Sequence, residues 1–324
     1  MFKQFVTNIY FLFICLFLLV CADVLLGDIN LFDAHTDVYI VLFELRLPKV
    51  ITAFATGSAL ALSGLVLQII FRNPLAGPYV LGISSAASLF SAIGIMSANV
   101  LSLSSFYDLS LSTFSVLGAF LGLFIILLLL QTTSHNTVIL LIGLMLSQLY
   151  SAAQNVLSYF SNEHVLKVFT LWTMGSIQNT NLFQAIMLLL VSLTFLLLVW
   201  RYTKFFMLYI LGDEHAQVLG ASVHLSKRIL ISTVGIVVGL ITAYCGPIAF
   251  VGMTVPVIVR ILTNRADVQN WIAHSFLYGG MFIILTDVVN QLFFLGALPL
   301  NILISIWGVP LMIWILIRQM NWLI

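Results

Sequence analysis

The sequence predicts an all-α integral membrane protein, and two features of composition and one of pattern support this fold class. Hydrophobic residues make up 62% of the 324 residues and charged residues only 7%, whereas a soluble domain normally carries about a quarter charged residues. A bilayer-spanning helix needs roughly 20 mainly apolar residues, and short polar breaks separate about ten such runs here. We therefore expect one transmembrane domain over residues 1–324.

The apolar runs predict about ten membrane-spanning helices in order along the chain. The predicted spans of the first half lie near residues 5–26, 47–71, 79–98, 111–131 and 137–160. Those of the second half lie near residues 182–201, 228–245, 247–263, 271–292 and 300–319. The first run exceeds the about 7–15 apolar residues of a signal peptide, so we interpret it as a span.

Basic side chains in the polar breaks predict the orientation, because Lys and Arg are retained on the cytoplasmic side. With a cytoplasmic N-terminus, the inner breaks hold Lys3, Arg72, Arg201, Lys204, Lys227, Arg228, Arg260, Arg265 and Arg318. The outer breaks then hold Arg46, Lys49 and Lys167. Nine basic residues against three predict that both termini face the cytoplasm.

Several kinds of chemistry are disfavoured by motifs that the sequence lacks. It contains no G-x-x-x-x-G-K-[ST] phosphate loop, so we do not expect the chain itself to hydrolyse ATP. The six histidines are scattered without zinc-site spacing, and Cys15, Cys21 and Cys245 lie in apolar runs. We therefore expect no catalytic residues, no cofactor, no protein-bound metal and no nucleic-acid partner.

The stretch ELRLPKV (44–50) places two cations just before the second predicted span. Arg46 and Lys49 lie on the outer side, against the excess of basic residues inside. They can act as anchors whose charged ends reach the membrane interface. Alternatively, they form a basic docking patch for an acidic external protein, because rim charges steer association.

The second predicted span carries small residues at helical spacing. Gly57, Ala61 and Gly64 follow one another at intervals of four and three residues, a pattern that lets helix backbones approach closely. Gln68 on the same helix needs a protein or water partner. We expect this helix to lie in the centre of the bundle.

Two prolines interrupt the chain after this span, in the stretch QIIFRNPLAGPYVLG (68–82). Pro74 and Pro78 cannot continue a helix, and the preceding Asn73 and Gly77 are biased toward extended conformation. The sequence predicts a tight, non-helical connection on the cytoplasmic side. By itself this pattern fits a plain turn as well as a functional element.

The longest inner break, residues 202–227, contains LGDEHAQVLGASV. Asp213 is a suitable N-cap and Gly220 suits the left-handed position that ends a helix, so we predict an amphipathic helix of about two turns between them. Such a helix is unstable alone. It must rest on its own bundle or on a cytoplasmic partner.

A later stretch, GPIAFVGMTVPVIVR (246–260), combines two prolines with an apolar segment. Pro247 and Pro256 are expected to break or kink it, leaving carbonyl groups that need internal partners. Asp287 lies within the ninth run, where an ionisable side chain is a candidate functional residue. Its position near the outer end also fits a hydrogen bond between packed helices.

Taken together, these stretches resemble the permeases of ABC importers for iron-siderophores, haem and vitamin B12. The family patterns R-x-P-[RK], G-x-x-L-x-x-S-G and N-P-L-A-x-P-x-x-L-G are similar to parts of residues 46–82. LGDEHAQVLGASV resembles the family's cytoplasmic coupling segment, and 246–260 resembles G-x-I-x-F-[IV]-G-x-x-x-P-x-x-x-R. WGVPLMIWIL is similar to the terminal span, so the matches extend over about residues 44–316.

The resemblance implies a membrane subunit of an importer in the bacterial cytoplasmic membrane. Family members have ten transmembrane helices and pair as a homodimer or a close heterodimer, with the translocation path along the two-fold axis. Two cytoplasmic ATP-binding subunits and an extracytoplasmic substrate-binding protein complete the assembly. The expected substrate is a metal chelate, most often an iron-siderophore, with haem or vitamin B12 as alternatives, moved by ATP-driven alternating access.

The resemblance also implies roles for particular residues. The inner gate is expected to comprise Asn73, Leu75, Asn136 and Thr137. The segment that couples to the ATP-binding subunits is expected to comprise Leu211, Gly212, Asp213, Glu214, Ala216, Leu219 and Gly220. Arg46 and Lys49 are the expected docking residues for the substrate-binding protein.

Two positions depart from the family pattern. Val257 stands where members commonly have His after the proline of the second motif, which affects local packing. Gln291 replaces a basic residue often found after the late Asp, which removes one charge from the expected docking patch.

A second interpretation belongs to a different class of transporter. In an ion-coupled secondary transporter, Asp287 would be the coupling carboxylate and the proline-broken helices would be discontinuous spans. The long inner break with its short helix favours the ABC importer.

Overall fold

The computed structural model describes residues 8–27, 38–100, 107–132, 135–210, 212–219, 222–263 and 267–319. Every regular element within these ranges is a helix. The predicted all-α fold class is therefore confirmed. Lys3 and Arg265, which contribute to the predicted orientation, lie outside the described residues.

The helices follow one another with short connections. The first six are α1 (Ile9–Leu25), α2 (Leu47–Phe71), α3 (Ile83–Val100), α4 (Tyr107–Thr132), α5 (Asn136–Tyr159) and α6 (Glu163–Thr173). The others are α7 (Leu182–Arg201), α8 (Thr203–Ile210), α9 (Asp213–Val218), α10 (Val223–Cys245), α11 (Val251–Thr263), α12 (Val268–Phe294) and α13 (Leu300–Gln319). The chain enters α2 through the helical residues Val38–Ile40 and a π-helical turn, Val41–Arg46, and a 3₁₀ turn, Pro78–Leu81, precedes α3.

Each predicted span coincides with an apolar helix. Within the described residues, six helices are long and apolar enough to cross a membrane, namely the continuous helix Val38–Phe71, the part Leu111–Thr132 of α4, and α5, α7, α10 and α12. Four shorter apolar helices correspond to the remaining predicted spans. The number of crossings and the side on which each terminus lies stay predictions.

The second predicted span, α2, lies in the centre of the bundle. Of its 25 residues, 21 are buried, and it packs against α12, α7, α11 and α10. Its small residues allow two close contacts. A Cβ atom at Gly57 would overlap the carbonyl of Gly279 in α12, and one at Gly64 would overlap the carbonyl of Gly252 in α11.

Local side-chain chemistry sets several helix boundaries. Asn181 and Gln184 form a capping box at the start of α7, which satisfies backbone N–H groups that have no partner within the helix. Asp267 accepts from two backbone N–H groups at the start of α12. Helix α2 ends at Phe71, because the next residue, Arg72, adopts a left-handed backbone conformation with φ 49°.

Replacing Gly64 with Ala is expected to destabilise the protein, because the added methyl group meets the Gly252 backbone rather than a movable side chain. Overpacking of this kind costs about 1–3 kcal/mol. The thermal midpoint of the purified chain in detergent should fall. Gly308→Ala is the matched control, because a Cβ there meets only ordinary contacts at 3.6 Å and beyond. Equal midpoints for the two variants would contradict the close packing of α2 and α11.

Candidate functional site

The connection after α2 is a compact non-helical turn. Asn73 closes it, because its side-chain oxygen accepts from the Leu75 N–H at 2.9 Å and its carbonyl accepts from the Ala76 N–H at 3.0 Å. Gly77 is extended with φ −141° and leads into the 3₁₀ turn that Pro78 begins. The predicted interruption by the prolines is confirmed. Leu75 is 42% exposed at this turn.

The polar start of α5 lies beside the end of α2. The Asn136 side chain donates to the Ile70 carbonyl at 2.9 Å and to the Tyr209 hydroxyl at 3.2 Å. Lys227 donates to the Asn136 side-chain oxygen at 3.3 Å. Thr137 is exposed. Asn136 therefore contacts the helix that carries the turn, whereas its neighbour faces outward.

The segment α8–α9 lies at the same end of the bundle as this turn, because Tyr209 of α8 contacts the last turn of α2. Gly212, with φ 127°, is the N-cap of α9, and Asp213 is its first helical residue. The predicted cap is thus displaced by one residue, since the left-handed glycine begins the turn. The helix has six residues, which agrees with the predicted length of about two turns.

Among its described side chains, the short helix α9 buries Ala216 and exposes the others. Ala216 is fully buried in the main core, whereas Val218 is 86% and Leu219 is 60% exposed. Leu211 and Gly220 lie outside the described residues, as do the side chains of Asp213 and Glu214. The helix therefore rests on its own bundle and presents apolar side chains at its free end.

A polar cavity of about 470 Å³ lies between α3, α5, α6 and the segment after α10. Its lining includes five serines, two threonines, Gln154, Asn155 and Asn301, and no charged side chain among the described residues. Gln154 donates to the Ser85 carbonyl at 3.0 Å. The hydroxyl of Ser85 is buried and has no hydrogen-bond partner among the described residues. The wall thus offers neutral donors and acceptors.

Asn301 fixes the irregular wall of this cavity, and sequence reasoning missed it. Its amide donates to the Pro247 carbonyl at 2.6 Å and the Thr173 carbonyl at 3.3 Å, and its oxygen accepts from the Ala249 N–H at 3.2 Å. The Pro247 carbonyl, which lies between two helices, thereby finds the internal partner that an apolar environment requires. The signal in the sequence is a single Asn at the start of an apolar helix, where its side chain can bond backbone groups of neighbouring segments.

A buried polar cluster lies at the opposite end of α2 from Asn73. Lys49 contacts Asp23 at 3.2 Å and Asp287 at 2.7 Å. Gln291 donates to both carboxylates, at 2.7 Å and 2.6 Å respectively. We call these four residues the tetrad. It joins α1, α2 and α12, and the side chains of its three charged residues are almost inaccessible to solvent.

Both cations of the expected docking patch have partners within the chain. Arg46 is 5% exposed and donates to the carbonyls of Val24 and Leu25 at the end of α1. Lys49 is bound within the tetrad. Gln291, interpreted from sequence as the loss of a docking charge, instead bridges two carboxylates. Docking of an external protein at this end stays a prediction.

Comparison with known proteins decides the family. The model of the FecCD transport family matches residues 9–318. The chain belongs to this FecCD transport family. It is 35% identical over 287 residues to the hemin transport system permease protein HmuU of Yersinia pestis, covering 85% of this chain and 83% of that one. It is 32% identical over 279 residues to the vitamin B12 import system permease protein BtuC of Yersinia enterocolitica, covering 85% and 81%.

A solved structure also resembles the FecCD chain over nearly its whole length. The protein, described as an inward-facing conformation of a metal-chelate type ABC transporter, is 28% identical, with a TM-score of 0.84 and coverage of 96% of this chain and 100% of that one. The ion-coupled alternative is not favoured. Asp287 is held in a salt bridge, and the relatives are permeases of import systems.

One departure from the family pattern has a local explanation in the FecCD chain. Val257 is 2% exposed and packs in a small apolar cluster with Met312. Its surroundings therefore accept an apolar side chain. The other departure, Gln291, belongs to the tetrad, where its side chain donates to two carboxylates.

Lys49→Met is expected to destabilise the protein strongly, because it leaves Asp23 and Asp287 buried without their ammonium partner. Removing one member of a buried ion pair costs about 3–5 kcal/mol. The thermal midpoint in detergent should therefore fall well below that of wild type.

A second variant and a control complete this test. Lys49→Met combined with Asp287→Leu should recover part of the loss, because one uncompensated carboxylate is removed together with the cation. Lys204→Met is the control, since Lys204 is exposed. If Lys49→Met and Lys204→Met have the same thermal midpoint, the tetrad has no stabilising role.

Proposed function

We propose that this chain is the membrane subunit of an ABC importer that carries a metal chelate, with an iron-siderophore as the first candidate. It would lie in the bacterial cytoplasmic membrane with ten crossings and both termini inside. A second permease copy, identical or closely related, two cytoplasmic ATP-binding subunits and an extracytoplasmic substrate-binding protein would complete the assembly. The family and its haem and vitamin B12 permeases support this proposal.

The polar cavity is the observation that carries the proposal. An apolar helical bundle has no structural need for a hydroxyl- and amide-lined cavity, because buried polar groups are costly unless they are hydrogen-bonded. Such a lining suits a large ligand that presents neutral oxygen and nitrogen groups. A chelate with several carboxylates would find no cation among the described lining residues. This distinction favours a chelate with an uncharged surface over haem.

The Asn73–Pro78 turn is the proposed inner gate. Leu75 projects an exposed apolar side chain from a turn that Asn73 stiffens by its own hydrogen bond. Asn136 and Thr137 at the start of α5 would form the adjoining layer. The segment from Leu211 to Gly220 would receive the movement of the ATP-binding subunits, with Leu219 among its contacts.

Reconstitution tests the function directly. In proteoliposomes that contain the complete complex, with substrate-binding protein added outside, uptake should require ATP and should not respond to a proton gradient alone. The panel should include an iron hydroxamate chelate, haem and vitamin B12, with uptake of the hydroxamate expected. Uptake driven by the proton gradient without ATP would refute the importer assignment, whereas uptake of haem alone would refute only the substrate.

Leu75→Cys is expected to form a disulfide with the corresponding turn of a second permease copy, because the gate is proposed to lie on the two-fold axis. The yield should differ between nucleotide-free and vanadate-trapped complexes. Ala76→Cys is the control, since Ala76 is adjacent but only 1% exposed. If Leu75→Cys forms no crosslink in any nucleotide state, the turn does not lie on the two-fold axis.

A further inference from the structure

The side chain of Tyr209 occupies an unusual position at the end of α8. It is fully buried, yet two cations approach its ring. The guanidinium carbon of Arg72 lies 4.8 Å and the ammonium nitrogen of Lys227 lies 4.9 Å from the ring centroid. Both distances permit cation–π attraction. Phe205 stacks on the same ring at 5.3 Å.

Hydrogen bonds tie the same tyrosine to the end of α2 and to α5 directly, and to α10 through Asn136. Its hydroxyl donates to the Ile70 carbonyl at 3.1 Å and accepts from Asn136. Its backbone carbonyl accepts from the Arg72 guanidinium at 3.0 Å. Lys227 reaches the hydroxyl indirectly, through its bond to Asn136. Tyr209 therefore contacts the end of α2 and the start of α5, and Asn136 links its hydroxyl to Lys227 of α10.

These contacts join the proposed receiving segment to the proposed gate. Tyr209 lies three residues before Gly212, the left-handed N-cap of α9. At the gate, Arg72 directly precedes Asn73. Its φ of 49° is a left-handed backbone conformation that residues other than glycine rarely adopt. A displacement of α8 must either carry the Arg72 side chain with it or break the bond to the Tyr209 carbonyl.

We propose that Tyr209 is a positioning residue that transmits movement of the α8–α9 segment to the Asn73–Pro78 turn. The inference rests on the proposed ATP-driven importer and names the contact that links the segment receiving the movement of the ATP-binding subunits to the inner gate. The ring and the hydroxyl have separate tasks. The ring holds the Arg72 and Lys227 cations, and the hydroxyl holds the carbonyl at the end of α2.

The test measures the gate rather than the cargo, so it needs no identified substrate. A single Leu75→Cys reporter is placed in a chain in which the three native cysteines, Cys15, Cys21 and Cys245, are replaced with Ala. The chain is assembled with its ATP-binding subunits in nanodiscs. The rate of labelling with fluorescein maleimide is compared between nucleotide-free and vanadate-trapped complexes. With Tyr209 intact, the two rates should differ by at least about fivefold, at the lower end of typical couplings between sites.

Substitutions of Tyr209 separate the two tasks of the side chain. Tyr209→Leu removes ring and hydroxyl, so the two labelling rates should become equal while ATP hydrolysis persists. Tyr209→Phe keeps the ring near the cations and should reduce the ratio only in part. Phe206→Leu is the matched control, because Phe206 is equally buried in α8 and is expected to retain the full ratio.

Each outcome distinguishes the inference from the function on which it rests. If the reporter shows no nucleotide dependence with Tyr209 intact, the proposed gate fails and the inference fails with it. If that dependence is present and unchanged in Tyr209→Leu, only the role of Tyr209 is overturned. Should Tyr209→Leu not assemble, Tyr209→Phe decides, because an unchanged ratio there contradicts a role for the hydroxyl.

Discussion

The close approach of α2 to α11 and α12 is the constraint on which the other contacts depend. Two glycine pairs, Gly57 with Gly279 and Gly64 with Gly252, bring backbone against backbone. Lipid offers apolar side chains much the same surroundings as a protein interior does, so helix association in a membrane relies on packing of this kind and on hydrogen bonds. Any side chain larger than hydrogen at these points would separate the helices.

This contact fixes a central helix whose two ends carry different polar clusters. At one end, Lys49 of α2 meets carboxylates from α1 and α12. At the other end, the Ile70 carbonyl and Arg72 meet Tyr209 and Asn136. Both clusters can form only when α2 has one depth and one rotation relative to its neighbours. The polar groups thereby select a single arrangement that apolar packing alone leaves less defined.

Sequence reasoning succeeded where the signal is local. Small residues at helical spacing predicted the central helix, and prolines after Phe71 predicted the end of α2, because both act through the backbone of the segment that contains them. It failed where partners are distant. Lys49 is 26 residues from Asp23 and Gln291 is 268 residues from it, so no single stretch of sequence contains the contacts that these side chains make. Tyr209 gave no signal at all, since its value comes from neighbours contributed by three other elements.

The neutral lining of the cavity has a consequence for kinetics. Hydroxyl and amide groups bind a ligand through many contacts, each of which water can replace at small cost. A fixed cation would instead hold an anionic ligand through one strong contact that must break at once. If the cavity binds the proposed ligand, a wall of serines and amides would let a large polar molecule exchange one hydrogen bond for another gradually. In the proposed importer, retention of the ligand would then depend on the protein that delivers it, and the membrane subunit would provide a surface for passage.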